Sequence, residues 1–258
     1  MNSSAESKSW AVVTGASDGI GRALVHELGQ KGLNVLAIGR SETKLNDLVA
    51  EYRGHGALEV HTIEFNSAGS AEAIRLLVGD KKVSVFSPTA GFGSSGNFND
   101  LDLDRELEMV DVNCRAVVEQ SQFFARKFKE QRNGTIVMFS SVLGLSGAGT
   151  SATYAATKNF IQAFSEGLRS ELMPFGVKVL TVCPGLTNTG FAAASKMSFS
   201  SADSAAAVAQ GIVKNLENSK TLFPTARAKF LGFALGTVTR NVRVSILSRV
   251  MSGMQSAH

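Results

Sequence analysis

The sequence predicts an α/β protein: one Rossmann-type, doubly wound parallel sheet with a short helical appendage near its C-terminal end. Three observations carry this. Apolar runs of strand length recur along the chain, stretches of helical period separate them, and each strand exits into glycine, hydroxyl or cationic residues. Strands alternating with helices imply parallel pairing through right-handed crossovers, and ligands of such sheets bind outside the carboxyl ends of the strands.

The first strand is "WAVVT" (10–14), followed by "GIGRALVHELGQKG". There Ile20, Ala23, Leu24 and Leu28 fall at helical spacing, and Gly32 suits the helix end. "NVLAIG" (34–39), "LEVHTIEF" (58–65), "KVSVFS" (82–87), "GTIVMFS" (134–140) and "VKVLTVC" (177–183) supply five more strands. Several are apolar almost throughout, as strands covered on both faces are. Helices are expected over 41–53, 69–79, 104–130 and 152–173. No linker, repeat or low-complexity tract divides the chain. It reads as one domain over 1–258, with a disordered lead-in at 1–8 and a substrate flap plus appendage over 189–258.

The strand exits locate the candidate site. The first opens into "TGASDGIG", where Gly15, Gly19 and Gly21 allow a tight turn and close approach to a pyrophosphate at a helix N-terminus. Gly15, Ser17, Asp18, Gly19, Ile20 and Gly21 are the candidate contacts in that loop. The second strand ends in Gly39 and Arg40, with no carboxylate for a ribose 2′-hydroxyl. A guanidinium there suits a 2′-phosphate, with Ser17 adding a hydroxyl, so NADP(H) is expected over NAD(H); the alternative is a solvated surface charge. Asn66 at the third exit is able to bond an adenine edge. Ala90 and Gly91 at the fourth leave room for a ribose. The fifth presents Ser140 and Ser141, and the sixth, "CPGLTNTG", adds Pro184, Gly185, Thr187 and Thr189.

One of only two tyrosines, Tyr154, lies four residues before Lys158 in "SATYAATKNF", on one face of a helix. A free phenol titrates near pH ~10. An ammonium beside it favours the phenolate and is expected to draw that value down.

These motifs resemble a known family. "TGASDGIG", "TAG", "VNCRA", "SSVLG", "YAATK" and "CPGLTNT" stand in the order and spacing of the short-chain dehydrogenase/reductases, over residues 9 to about 190. The resemblance is nearest the NADP-dependent reductases of the ketoacyl and hydroxysteroid branch. It implies Asn113, Ser141, Tyr154 and Lys158 as catalytic residues: Tyr154 exchanges the proton, Ser141 holds the substrate oxygen, Lys158 also binds the nicotinamide ribose, and Asn113 fixes a water that relays protons to Lys158. It implies hydride transfer between the cofactor and a carbonyl or secondary alcohol. Three positions depart from the family pattern: Pro88 and Thr89 replace two asparagines, and Asn66 replaces an aspartate. Pairing into a homodimer or homotetramer through the fourth and fifth helices is likewise implied.

Composition bounds the alternatives. With 258 residues, 44% hydrophobic and 19% charged, the chain has a soluble, globular make-up. Two distant cysteines, Cys114 and Cys183, fit neither a disulfide framework nor a zinc pattern, and the four histidines lack ligand spacing. A reducing, cytoplasmic setting without metal is expected. No apolar run reaches the ~18 residues of a membrane span, and "MNSSAESKS" lacks a signal-peptide core. The net charge of +4 is unevenly placed. After Glu217 there are six Lys and Arg and no acid, so the chain up to that point carries 20 basic against 22 acidic residues. No clustering for nucleic acid is evident.

Thr187–Ser200 resembles a substrate flap. Phe191 with Ser141 and Leu143 is expected to meet an apolar ketone or aldehyde, and Met197, Phe199, Leu145 and Phe92 extend the wall; alternatively, the flap side chains simply pack the flap. The basic, apolar stretch after residue 224 reads as two helices packed on the sheet edge or a partner subunit. Lying on an anionic membrane surface or capping a lipid-like substrate is the less favoured reading. In function, an enzyme is expected, and a cofactor-binding regulator without turnover is the alternative.

Overall fold

The computed structural model describes residues 8–66, 68–189 and 202–255. The main sheet has seven parallel strands in the order β3-β2-β1-β4-β5-β6-β9: β1 (Trp10–Thr14), β2 (Asn34–Gly39), β3 (Leu58–Thr62), β4 (Val83–Pro88), β5 (Gly134–Phe139), β6 (Val177–Val182) and β9 (Thr221–Leu222). A separate short parallel pair joins β7 (Thr187–Asn188) to β8 (Asp203–Ser204). The order reverses between β1 and β4, which opens the ligand crevice of a Rossmann-like sheet above those two strands.

Strand alternation divides the core. Ala11 and Val13 point to one face of β1 and Val12 to the other. The first face is covered by α1 (Gly19–Gln30) and α7 (Ala205–Val213), the second by α3 (Ser70–Val78), α5 (Ala116–Gln131) and α6 (Ala152–Leu172). Phe124 of α5 stacks on Phe86 of β4 with ring centroids 3.9 Å apart. Offset ring packing of this kind adds to the area buried. α2 (Glu42–Glu51) contributes Leu45 and Leu48 to the first face.

Three elements differ from the sequence reading. The third strand stops at Thr62 rather than Phe65, because its edge partner β2 ends at Gly39 and only Ile63 N–H still reaches a β2 carbonyl. The helix expected over 104–130 is α4 (Leu103–Val110), a π-helical turn (Asp111–Arg115) and α5 in succession. Such turns admit one extra residue and re-aim side chains at functional sites. Beyond residue 189, β9 and α7 build into the sheet and its covering layer; a two-residue strand and an alanine-rich helix carry little periodicity to announce them.

Candidate active site

The β1–α1 loop is shaped by atoms its glycines lack. A Cβ on Gly15 would sit 2.5 Å from Ala90 N, and one on Gly21 would sit 2.2 Å from Gly15 O. Gly15 and Gly19 also take positive φ, of 68° and 54°. A Cβ on Gly19 would meet Thr189 Cγ2 at 2.9 Å, which places Thr189 over the start of α1. A helix N-terminus approached this closely by the glycine loop makes a cradle that fits a dinucleotide pyrophosphate. The Asp18 carboxylate is engaged elsewhere: it caps α1 through Gly19 N–H and pairs with Lys44. Ile20 packs against the core beneath.

Ser17 lies against Gly39, whose ideal Cβ would come within 3.0 Å of Ser17 Oγ, and Arg40 follows, exposed. The pair thus stands together at the β2 exit. Asn66 is exposed and lines a cleft of 480 Å³ with Leu107 of α4 and Asp111 of the π turn. Pro88 ends β4 opposite Thr14, where its missing N–H breaks no later ladder bond. Thr89 turns its hydroxyl back to Ser87 Oγ at 3.0 Å. At the sixth exit, Pro184 O accepts from Val142 N–H, and Thr187 Oγ1 donates to Gly185 O.

The structure brings Asn113, Ser141, Tyr154 and Lys158 together, all buried. Ser141 ends β5's exit and accepts from Leu143 N–H at 3.2 Å, and its hydroxyl is hydrogen-bonded to that of Tyr154. One turn along α6, the Lys158 ammonium donates to Phe139 O at 3.0 Å and sits 5.7 Å from the Tyr154 ring centroid. The π turn aims Asn113 inward. Its Nδ2 donates to Phe92 O (2.9 Å) and Thr157 Oγ1 (3.1 Å), while Oδ1 accepts from Phe92 N–H (3.1 Å), leaving one lone pair of Oδ1. Gly91 is the neighbour that permits this, since a Cβ there would lie 2.8 Å from Asn113 Oδ1. Gly144 does the same beside Ser140, whose hydroxyl caps Lys158 O at 2.9 Å.

Burial dominates the electrostatics. It pushes the Tyr154 phenol above its ordinary range, and the Ser141 hydrogen bond pulls the other way. The downward pull expected from the neighbouring ammonium is outweighed by burial; Lys158 donates to the Phe139 carbonyl. Burial lowers Lys158 itself to about 8, against a smaller opposing pull from the thiols of Cys114 and Cys183.

Around Tyr154 the surface is apolar. Phe92, Met109, Leu143 and Ala148 form one buried cluster with it, and Leu145 packs alongside. Leu235 of α8 (Ala226–Gly236) and Leu247 and Met251 of α9 (Arg240–Gln255) complete it. The last two helices therefore cover the candidate active site, the place that the less favoured capping reading gives them, rather than the sheet edge. Arg243 fastens them, donating to Leu235 O, Val238 O and Leu145 O. Sequence reasoning missed these residues, because helices apolar on two faces show no distinct inward stripe. Phe191, Met197 and Phe199 lie outside the described residues.

Residues 9–198 match the short chain dehydrogenase family. An uncharacterized oxidoreductase of Staphylococcus epidermidis is 32% identical over 181 residues, covering 69% of this chain and 78% of the relative. The 7beta-hydroxysteroid dehydrogenase of Collinsella aerofaciens is 29% identical over 182 residues, covering 70% of this chain and 69% of the relative. Among solved structures, a short-chain dehydrogenase from Sphingobium yanoikuyae in complex with NADPH superposes with a TM-score of 0.79 over 90% of this chain and 97% of the other, at 22% identity. With its glycine cradle, its buried serine, tyrosine and lysine and this match over most of its length, the chain belongs to the short chain dehydrogenase family of oxidoreductases.

Proposed function

We propose that the protein transfers a hydride between NADP(H) and a carbonyl or secondary alcohol on an apolar substrate. The observation that carries the reading is the hydrogen-bonded pair of Ser141 and Tyr154 hydroxyls within an apolar cluster, facing the crevice whose loop is cut to fit a pyrophosphate. The nicotinamide ring, when bound, supplies the hydride; the protein supplies position and field. Gly15, Gly19, Gly21 and Thr189 would hold the pyrophosphate, Ala90, Gly91 and Asn66 the adenosine side, and Pro184, Gly185 and Thr187 the nicotinamide side. Arg40 and Ser17 favour a 2′-phosphate, and the Sphingobium relative's NADPH supports the same cofactor.

Ser141 donates to the substrate oxygen and stabilises the charge that builds there. Tyr154, held protonated by burial, gives its proton to that oxygen in reduction and takes it back in oxidation. Lys158, largely protonated at neutral pH, would bind the nicotinamide ribose. Asn113 is a positioning residue: its bonds tie the Phe92 backbone to α6, and its remaining lone pair is where a relaying water would bind. Leu143 and Phe92 would wall the substrate, with Phe191 above.

Free thiols at Cys114 and Cys183 suit a reducing, cytoplasmic setting. Among the described residues, no helix is long and apolar enough to cross a membrane. Exposed Leu103, Leu107, Val110, Val118 and Phe160 on α4, α5 and α6 offer a surface for homo-oligomerisation. Oxidation of NADPH on addition of hydrophobic ketones tests the activity. NADPH binding with no turnover on any ketone or alcohol would instead identify a cofactor-binding regulator.

A further inference from the structure

The helices that cover the catalytic end are apolar on both sides. Inward, α8 buries Ala228, Gly232 and Leu235. Outward, Phe230 and Phe233 are 74% and 73% exposed, more than any other large apolar side chain among the described residues. At about 100° per residue, these two rings project about 60° apart on one face. Lys229 lies about 40° beyond Phe233, and Arg227 about 60° beyond Phe230, both exposed. Two aromatic rings are thus bracketed by cations on either side. α9 repeats the pattern: Val242, Ile246 and Val250 recur every fourth residue and are all exposed, with exposed Arg249 among them.

The charge of this region narrows what could cover it. No Asp or Glu occurs after Glu217. Arg243 is tied to three carbonyls inside the fold, which leaves Arg227, Lys229, Arg240 and Arg249 as the exposed cations of the two helices. A second copy of the chain is a poor match, because a two-fold contact sets the same patch against itself and would face cations with cations. The exposed apolar residues of α4 differ in this respect, since Asp104, Glu108 and Arg105 are interleaved with them. What suits projecting rings flanked by cations is a fluid apolar layer beneath an anionic surface.

We infer that the outer face of α8 and α9 docks on an anionic lipid bilayer, with Phe230 and Phe233 entering the headgroup–acyl boundary and the flanking cations meeting lipid phosphates and carboxylates. The inner face of the same helices walls the Tyr154 cluster, so docking sets the apolar end of the candidate active site one helix away from the lipid. That consequence rests on the oxidoreductase reading above; the docking itself does not.

Co-sedimentation of the full chain with vesicles tests the inference, using phosphatidylcholine alone or mixed with phosphatidylserine, at low and high salt. The expected result is binding to the mixed vesicles only, weakened by salt, with Phe230→Ser/Phe233→Ser lowering it about tenfold or more and Arg227→Ala/Lys229→Ala lowering it less. Thermal melting of the double phenylalanine variant should match the wild type, because both rings lie outside the core. Failure of the wild type to sediment with phosphatidylserine vesicles overturns the inference. So does equal binding by the phenylalanine variant, or a fall in its oligomeric state by light scattering, which would make the face a subunit contact. NADPH oxidation with a water-soluble ketone reports separately on the catalytic reading and should be the same in wild type and variant.

Discussion

The β1–α1 loop and the Ser141–Lys158 cluster lie at exits of one sheet but are built in opposite ways. The loop works by what is missing: Gly15 and Gly21 have no Cβ, so backbone stretches approach closely at the start of α1. The cluster works by what is present: side chains with ionisable or hydroxyl groups, buried and held by backbone carbonyls and by one another. The difference teaches where each fails. Adding atoms should damage the loop, and removing one should damage the cluster, with separate effects on cofactor binding and on chemistry.

The largest expected effect is at Tyr154. Tyr154→Phe removes one oxygen and keeps the ring in its apolar cluster, so turnover should fall about 10³-fold, near 4 kcal/mol of barrier. NADPH affinity, measured by fluorescence titration, should stay within severalfold. A variant that turns over like the wild type would break the contrast, because the cluster would then not act through its hydroxyl.

Next is Lys158, whose burial has a pH signature. Its folded value is lowered to about 8 from the ordinary 10.5. Below pH 8 both folded and unfolded chains carry the proton, and the folded state bears the full cost of the buried charge. Between about 8 and 10.5 the unfolded chain holds a proton that the folded chain has shed, so stability gains with rising pH. Cys114 and Cys183, raised by burial to about 11 and 12, act oppositely at the upper end of that range. Comparison with Lys158→Met removes their common contribution. From pH 7.5 to 10, denaturant unfolding should shift in favour of the wild type, relative to the variant, by roughly 2 kcal/mol. A difference independent of pH would mean that Lys158 titrates as in water.

Gly21→Ala probes the loop. Its new Cβ would lie 2.2 Å from a backbone oxygen that no side-chain rotation can move aside. A cost of about 1–3 kcal/mol is expected, seen as weaker NADPH binding and lower melting temperature. Once cofactor is saturating, kcat should change little, the reverse of the Tyr154→Phe pattern.

How much of this was legible in the sequence follows the same division. The six long strands and their exits announce themselves, since runs such as "WAVVT" and "VKVLTV" are apolar on both faces and end in glycine or hydroxyl residues. That Tyr154 and Lys158 meet on one helix face and Ser141 stands at a strand exit was legible from spacing, whereas Asn113 and the roles of all four came from the family resemblance. The π turn at Asn113 was not legible, because five ordinary helix-forming positions carry no mark of an extra residue in the turn. Nor was the balance at Tyr154, which depends on how deeply the fold buries the ring and on where Lys158 points. The cover over the site was hidden for a third reason: α8 places apolar side chains all round, so spacing alone cannot say which side faces the core.

Arg40 carries the smallest expected effect and bears on the loop side of the comparison. Unlike the buried groups of the Ser141–Lys158 cluster it is exposed, so any attraction for a 2′-phosphate acts through water and is screened by salt. Its position counts more than its strength: it directly follows Gly39, against which Ser17 packs, at the β2 exit. Arg40→Glu replaces attraction with repulsion for a phosphate and offers a carboxylate to a ribose hydroxyl. The ratio of kcat/KM for NADPH to that for NADH should therefore fall about tenfold or more at low salt, and less at high salt. An unchanged ratio would leave Arg40 as a solvated surface charge, and the preference for a 2′-phosphate would have to arise elsewhere in the loop.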